Sequence, residues 1–397
     1  MTTGVTIIGL DGSPMSDDAA AALAGAGLVI GGRRHLDQVE IPAAARVVEM
    51  GDVSLALDAV AAHDGHGVVL ASGDPGFFGI LRALRERGLE PRVVPAISSV
   101  AQAFARAGVS WDDAVVVSAH GRPMGPVAAA CRAHPKVAVL TAPGSGPAEL
   151  GAALAGARRT FVVASSLGTT DESVLRVSPA EAARRDWDQP SVVLVLAPET
   201  DSARGWIAGG EQVPDGWALP ESDFDHRDSM VTKAEVRALV LARLAPRTGR
   251  VVWDLGSGSG SVAVECARFG ADVVAVERDS DGCDRIAANA RRFGVSVDVV
   301  QGLMPGVLTG LREPDAVFLG GGGVPVLEAA LNFGHPTRVV AAVAAIERVG
   351  PVLEVLDQQG FSTGGTQLAS SRLSVLPDRT HRLAGTNPVF ILWGERS

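Results

Sequence analysis

Several segments of this chain place glycines, carboxylates and hydroxyls where a strand would end, the position at which free backbone N–H groups meet a ligand. The longest is Arg250-Val-Val-Trp-Asp254-Leu-Gly256-Ser257-Gly258-Ser-Gly260-Ser-Val-Ala-Val-Glu265, which reads as strand, glycine turn and helix. Glycines there let a ligand approach the main chain closely. A following strand, Val273–Val276, ends in Glu277, 23 positions beyond Asp254. At that distance one carboxylate can accept both hydroxyls of an adenosine ribose. Further on, Pro314-Asp315-Ala-Val-Phe-Leu319-Gly-Gly-Gly-Gly323 sets a carboxylate before a strand and glycines after it.

The first half carries a different set. Val68-Val-Leu-Ala-Ser72-Gly73-Asp74-Pro75-Gly76 reads as a strand running into a turn, with a helix after it. Gly9-Leu-Asp11-Gly12 follows an earlier strand, and Val93-Val-Pro95-Ala-Ile-Ser98-Ser99 contains a later one. Turns at successive strand ends would line one crevice, where open α/β sheets bind ligands.

The elements that must position these residues alternate along the chain. Val5–Ile8, Gly67–Ala71, Ala114–Ser118, Val137–Thr141, Thr160–Ala164 and Ser191–Leu196 read as strands; Ala19–Ala26, Gly79–Arg87 and Val100–Ala107 read as helices. Such alternation predicts α/β domains on largely parallel sheets. Periodicity lapses from Ala197 to Asp228, then a helix is expected over Thr232–Leu244 with Val236, Leu239, Val240 and Leu244 on its apolar face. Strands resume at Val251–Leu255, Asp272–Val276, Val297–Val300, Ala316–Leu319, Arg338–Val343 and Val389–Trp393. Two domains follow, 1–205 and 206–397.

The 397 residues are 47% apolar and 20% charged, enough for two packed cores and unlike a disordered chain. With a net charge of −10, no tyrosine and only two lysines, Lys136 and Lys233, the chain lacks the basic surface and stacking platforms of a nucleic-acid binder. Cys131, Cys266 and Cys283 show no metal or redox spacing, and the histidines no ligand spacing, so no metal is expected. No apolar run approaches a membrane span and no signal segment is evident, which predicts a soluble, cytoplasmic protein.

The glycines at 256, 258 and 260 depart from the dinucleotide pattern G-x-G-x-x-G, since Ser261 stands where the third glycine would be. The run is similar to motif I of the class I S-adenosylmethionine methyltransferases. The Gly-Asp-Pro and Pro-x-x-Ser-Ser segments resemble the tetrapyrrole (class III) methyltransferases. Val29-Ile-Gly31-Gly-Arg33-Arg34-His35-Leu36, Ser118-Ala-His120-Gly-Arg122-Pro123 and Val231-Thr232-Lys233-x-Glu235-Val236-Arg237 resemble the precorrin-6Y C5,15-methyltransferase (decarboxylating) family. The resemblance covers nearly the whole chain. It departs at Asp11-Gly-Ser-Pro14, where relatives often have Gly-Pro-Gly. It departs again at Val340-Ala-Ala-Val-Ala-Ala-Ile-Glu347, where they often carry an asparagine and a threonine.

The resemblance implies an N-terminal tetrapyrrole-methylase-type α/β domain followed by a Rossmann-like class I domain. It also implies two S-adenosylmethionine molecules per chain, methylation of precorrin-6B at C5 and C15, and decarboxylation of the ring C acetate in cobalamin biosynthesis. Donor contacts carried over by motif are Gly73, Asp74, Pro75, Ser98 and Ser99 in the first domain. In the second they are Thr232, Gly256, Ser257, Gly258, Gly260, Glu277 and Leu303. Asp315 and Glu347 are candidate bases for removing the ring proton. The polyanionic substrate requires fixed cations, for which Arg33, Arg34 and Arg122, with His35 and His120 beside them, are candidates. A homo-oligomer is expected. The competing readings are a nicotinamide-dependent oxidoreductase using the Gly256–Gly260 turn, and a methylase in which one domain is a non-catalytic scaffold.

Overall fold

The computed structural model of the chain describes residues 4–51, 53–198, 208, 214, 216–227 and 231–396. They pack as two units, Met1–Arg122 with Lys136–Ala208, and Pro123–Pro135 with Gly209–Ser397. The expected division at 205/206 lies outside the described residues. The short segment Pro123–Pro135 belongs with the second unit.

In the first unit, β1 (Val5–Leu10), β2 (Leu28–Gly31), β3 (Arg46–Glu49), β4 (Gly67–Ser72) and β5 (Arg92–Val94) form a parallel sheet in the order β3-β2-β4-β1-β5. The central strands are continuous runs of Val, Ile and Leu because both faces are covered. Leu10 pairs with Ser72 and Ile8 with Val94, so the turns after β1, β4 and β5 emerge side by side.

The second sheet of this unit contains β6 (Val115–Ser118), β7 (Lys136–Leu140), β8 (Thr160–Ser165), β9 (Ser173–Val177) and β10 (Ser191–Leu196), ordered β6-β7-β10-β8-β9. Here the expectation of a largely parallel sheet fails: only β6 and β7 run parallel, and the other three pairings are antiparallel. The turn 166–172 between β8 and β9 is too short for the crossover a parallel pair needs. Lys136 is buried in this sheet, donating to Asp113 at 2.6 Å and to the Ser110 carbonyl at 2.9 Å.

The second unit is built on β11 (Val251–Leu255), β12 (Asp272–Glu277), β13 (Val297–Gln301), β14 (Ala316–Leu319), β15 (Arg338–Val343), β16 (Ser362–Leu368), a hairpin of β17 (Ser371–Val375) and β18 (His381–Gly385), and β19 (Val389–Glu395). Seven of these form one sheet, β13-β12-β11-β14-β15-β19-β16, parallel except where β19 pairs with β15 and β16. β11 lies inside it, between β12 and β14, and is buried along its whole length.

The helix expected from Thr232 begins at Ala234, and its inward face is Val236, Arg237, Val240, Leu241 and Leu244, with Leu239 only partly covered. Arg237 is inside because a partner is built for it. Its guanidinium donates to Glu265 at 2.6 Å and to the carbonyls of Thr232 and Leu219, while Glu265 accepts from the Ala218 and Leu219 amides at 2.7 and 3.0 Å. Both side chains are fully buried, and a buried ion pair persists only when its remaining hydrogen-bonding capacity is filled in this way. Among the described residues no helix is long and apolar enough to cross a membrane.

Candidate active site

The carboxyl edge of the seven-stranded sheet opens into a cleft of about 1120 Å3. That is above the roughly 300–1,000 Å3 of sites that enclose one small ligand, which leaves room for a donor and part of a larger acceptor. Its floor is the turn after β11. Gly256 and Gly258 have φ of 74° and 58°, a left-handed conformation that strains any residue with a Cβ. A Cβ on Gly256 would lie 2.8 Å from the Gly321 amide, whereas one on Gly258 would meet nothing within 4 Å. The first glycine is therefore required by packing and the second presents bare backbone to the cleft.

Two carboxylates shape this turn. Asp254, at the end of β11, accepts from the Ser257 hydroxyl at 2.8 Å and the Ala263 amide at 2.9 Å through one oxygen. Among the described residues its other oxygen is buried without a hydrogen-bond partner. Burial pushes its carboxyl up to about 6; the two hydrogen bonds oppose this and the charge of Glu277 adds to it. Glu277, at the end of β12, accepts from Gly258 N at 2.8 Å, and from the Arg278 and Asp279 amides at 2.9 and 3.1 Å. Its fixed, acceptor-only carboxylate at the lip of the cleft suits vicinal hydroxyls.

Thr232, Gly256, Ser257, Gly258, Glu277 and Leu303 all line this one cleft. Thr232 is held there through its carbonyl by Arg237. Leu303 is 72% exposed on the loop after β13, free to cover a flat ring. Gly260 is different. It is buried at the start of the helix Ser261–Arg268, where a Cβ would come within 2.9 Å of Ile286. It serves helix packing and does not line the cleft.

Asp315 requires a correction. It precedes β14, at the opposite edge of the sheet from the cleft, and its carboxylate accepts from the Val251 amide at 2.7 Å. A residue ahead of a parallel strand cannot reach chemistry at the carboxyl ends, so its role is to tie β14 to β11. Glu347 lies on the correct edge, exposed in the short helix Ile346–Arg348, three positions past Ala344 of the cleft wall.

The opposite wall is formed by Gly320–Gly322, Ala342 and Ala344, from runs the sequence had singled out, and by Gly385–Asn387, which sequence reasoning missed. The run Gly385-Thr-Asn-Pro388 was the available signal, a turn after the last hairpin strand.

In the first unit the three expected turns do come together. Gly73 N donates to Leu10 O at 2.7 Å, Ala96 N to Gly73 O at 3.2 Å, and Ile97 N to Asp11 Oδ2 at 3.1 Å. Gly73 has φ 57° and a Cβ on it would press on Ile97 O and Ser98 Cα at 2.9 Å. Partial burial works against ionisation of Asp11, but amide hydrogen bonds from Ser13 and Ile97 outweigh it and hold its carboxyl below the ordinary range. Asp74 accepts from Gly76 N at 2.8 Å, and Ser98 caps the helix Ser99–Ala107 by accepting from Ala101 N at 3.2 Å. Gly73, Asp74, Pro75, Ser98 and Ser99 thus sit on adjacent turns at one sheet edge.

The candidate substrate cations separate. Arg34 donates to the Ser72 hydroxyl, and His35 Nε2 lies 3.0 Å from the same oxygen, just before the Gly73 turn. Burial, helped by the charge of Arg34, pushes the His35 imidazole down to about 4. It is neutral at pH 7 and supplies no cation. Arg33 turns instead to Glu49, with which it makes a two-pronged exposed pair at 3.2 and 2.8 Å. His120 and Arg122 follow β6 of the second sheet, both exposed, with His120 Nδ1 3.4 Å from Ser118 Oγ.

Comparison with known proteins agrees with two methylase-type halves. A family model described as tetrapyrrole (corrin/porphyrin) methylases matches residues 9–183, and one described as a precorrin methyltransferase domain matches residues 223–375. The chain is similar to a precorrin-6Y C(5,15)-methyltransferase [decarboxylating] of Sinorhizobium sp, with 36% identity over 83% of this chain and 81% of the relative. It is also similar to the protein of the same description from Mycobacterium tuberculosis (strain CDC 1551 / Oshkosh), with 34% identity over 79% of each. Among solved structures, the C-terminal domain of the Rhodobacter capsulatus precorrin-6Y C5,15-methyltransferase is 34% identical, covering 47% of this chain and all of that one with a TM-score of 0.41. With a glycine cradle and ribose-type carboxylate in one half, a stitched set of turns in the other, and such identity across both, the chain belongs to the precorrin-6Y C5,15-methyltransferase (decarboxylating) family, S-adenosylmethionine-dependent C-methyltransferases of cobalamin biosynthesis.

Proposed function

We propose that the chain holds two S-adenosylmethionine molecules, one in each unit, methylates precorrin-6B at C5 and C15, and removes the ring C acetate carboxyl as carbon dioxide. The observation that carries this reading is the presence of two differently built backbone cradles, each at the carboxyl ends of parallel strands. One is Gly256–Gly258 with Glu277; the other is Gly73–Pro75 beside Asp11 and Ser98. The protein would work in the cytoplasm as a homo-oligomer.

When bound, the donor supplies an electrophilic methyl group, so the protein needs no covalent nucleophile. Its task is alignment, which can contribute about 7–11 kcal/mol to the barrier. In the second unit the Gly258 backbone and Glu277 hold the adenosine end, Thr232 sits at the reacting side, and Gly320–Gly322, Ala342 and Ala344 form a wall without charge. A carboxylate lost as carbon dioxide is best placed against such a wall, where nothing stabilises its anion. Glu347 at the rim would take the ring proton after methyl transfer. Glu347→Gln should lower kcat while leaving donor affinity unchanged. In the first unit Arg34 and Arg122 supply candidate partners for substrate carboxylates.

The test is incubation with precorrin-6B and S-adenosylmethionine followed by mass spectrometry. The expected product has gained two methyl groups and lost one carbon dioxide. A product that keeps every carboxyl overturns the decarboxylation, and recovery of unmethylated substrate overturns the reading.

A further inference from the structure

Lysine occurs at only two positions in this chain, and Lys136 is spent on Asp113 inside the first unit. Lys233 is the other. It is half-buried in the cleft wall of the second unit, beside Thr232, at the position that caps the helix Ala234–Leu244. Two carboxylates close to it, Glu235 and Glu221, are already committed. Glu235 accepts from Arg372 at 2.8 and 2.5 Å, and Glu221 accepts from Arg372 at 3.0 and 2.7 Å and from the Ala234 amide at 3.0 Å. Hydrogen bonds from Arg372, working against partial burial, hold the Glu221 carboxyl down to about 2, so this set stays ionised and paired. Arg372 thus takes up the two carboxylates that bracket the start of this helix. Among the described residues Lys233 makes no ion pair or side-chain hydrogen bond, and neither does Arg227, which lines the same cleft.

The other two cations of the cleft have different surroundings. Arg278 and Arg285 belong to a segment on the β12 side that also carries Glu277, Asp279, Asp281 and Asp284. An uncompensated ammonium in the cleft of a chain with net charge −10 is a binding point for an external anion.

We infer that Lys233, with Arg227 in the same cleft, is the anchor for a carboxylate side chain of the tetrapyrrole in the second unit; this rests on the function proposed above. A corollary follows from charge. A paired ammonium stabilises a carboxylate and so opposes its loss, which means that Lys233 binds a carboxylate the product retains. It is a specificity-determining residue and takes no part in bond breaking.

The test uses the full chain and measures carbon dioxide release from precorrin-6B. Lys233→Met should raise KM about 10-fold with kcat little changed, the loss expected for one charge-assisted contact. Lys233→Arg, which keeps the charge, should restore most of it. KM of the wild type should rise more steeply with salt than that of Lys233→Met. Affinity for S-adenosylhomocysteine should be the same in all three. Equal KM values and equal salt dependence in the three proteins overturn the inference while leaving the proposed function intact. A wild-type chain that releases no carbon dioxide overturns the proposed function instead.

Discussion

The Glu277 carboxylate accepts a hydrogen bond from Gly258 N at 2.8 Å, which closes the end of β12 onto the glycine turn that follows β11. The same carboxylate also receives the amides of Arg278 and Asp279. Glu277→Gln puts an amide NH2 where one of these donors now points. Binding of S-adenosylhomocysteine to the second unit should weaken roughly 10- to 100-fold, as for loss of a hydrogen bond to a charged acceptor. Calorimetry should find the first unit unaffected.

Gly282 lies in the helix Ser280–Arg292 directly under this carboxylate, and a Cβ there would fall 2.7 Å from Glu277 Cγ. Alanine is the better helix former by about 0.8–1.0 kcal/mol. Gly282→Ala should therefore retain its urea midpoint while losing roughly 10-fold in donor affinity, because the displaced carboxylate gives up Gly258. A loss of stability with affinity unchanged would contradict the arrangement.

Asp254 gives the protein a pH signature. Burial raises its carboxyl from the ordinary 3.8 to about 6. Between those values the folded state holds a proton that the unfolded chain has released, so this group makes stability fall as pH rises through that window and level off above it. The size is on the order of 3 kcal/mol. Comparing urea midpoints of wild type and Asp254→Asn from pH 4 to 7 isolates the effect, since the variant should lack this slope.

Asp315 ties β14 to β11 through Val251 N at 2.7 Å, on the edge away from the cleft. Asp315→Asn should leave kcat near the wild-type value and cost about 1–2 kcal/mol of stability. A collapse of kcat with stability intact would restore Asp315 to the reaction.

The cleft floor was legible in sequence because its chemistry is local. Asp254, Gly256, Gly258 and Glu277 lie on two successive strand ends, and the backbone of a tight turn limits what can stand there. Asp315 was misplaced because its position in the motif was weighed above its standing at the start of β14, away from the carboxyl ends of the strands. Arg237 was hidden because a charge is ordinarily read as surface, although its spacing with Val240, Leu241 and Leu244 pointed inward. The second sheet of the first unit was read as parallel because buried strands such as β10 have the same apolar composition in either direction. Thr386 and Asn387 reach the cleft only through the closing hairpin and β19, a long-range pairing that no local pattern reports.

Two cradles in one chain predict two binding events. Titration calorimetry with S-adenosylhomocysteine should give two sites per chain, with Asp74→Ala abolishing one and Glu277→Ala the other. A wild-type stoichiometry of one, or a single substitution that removes both, would contradict the account.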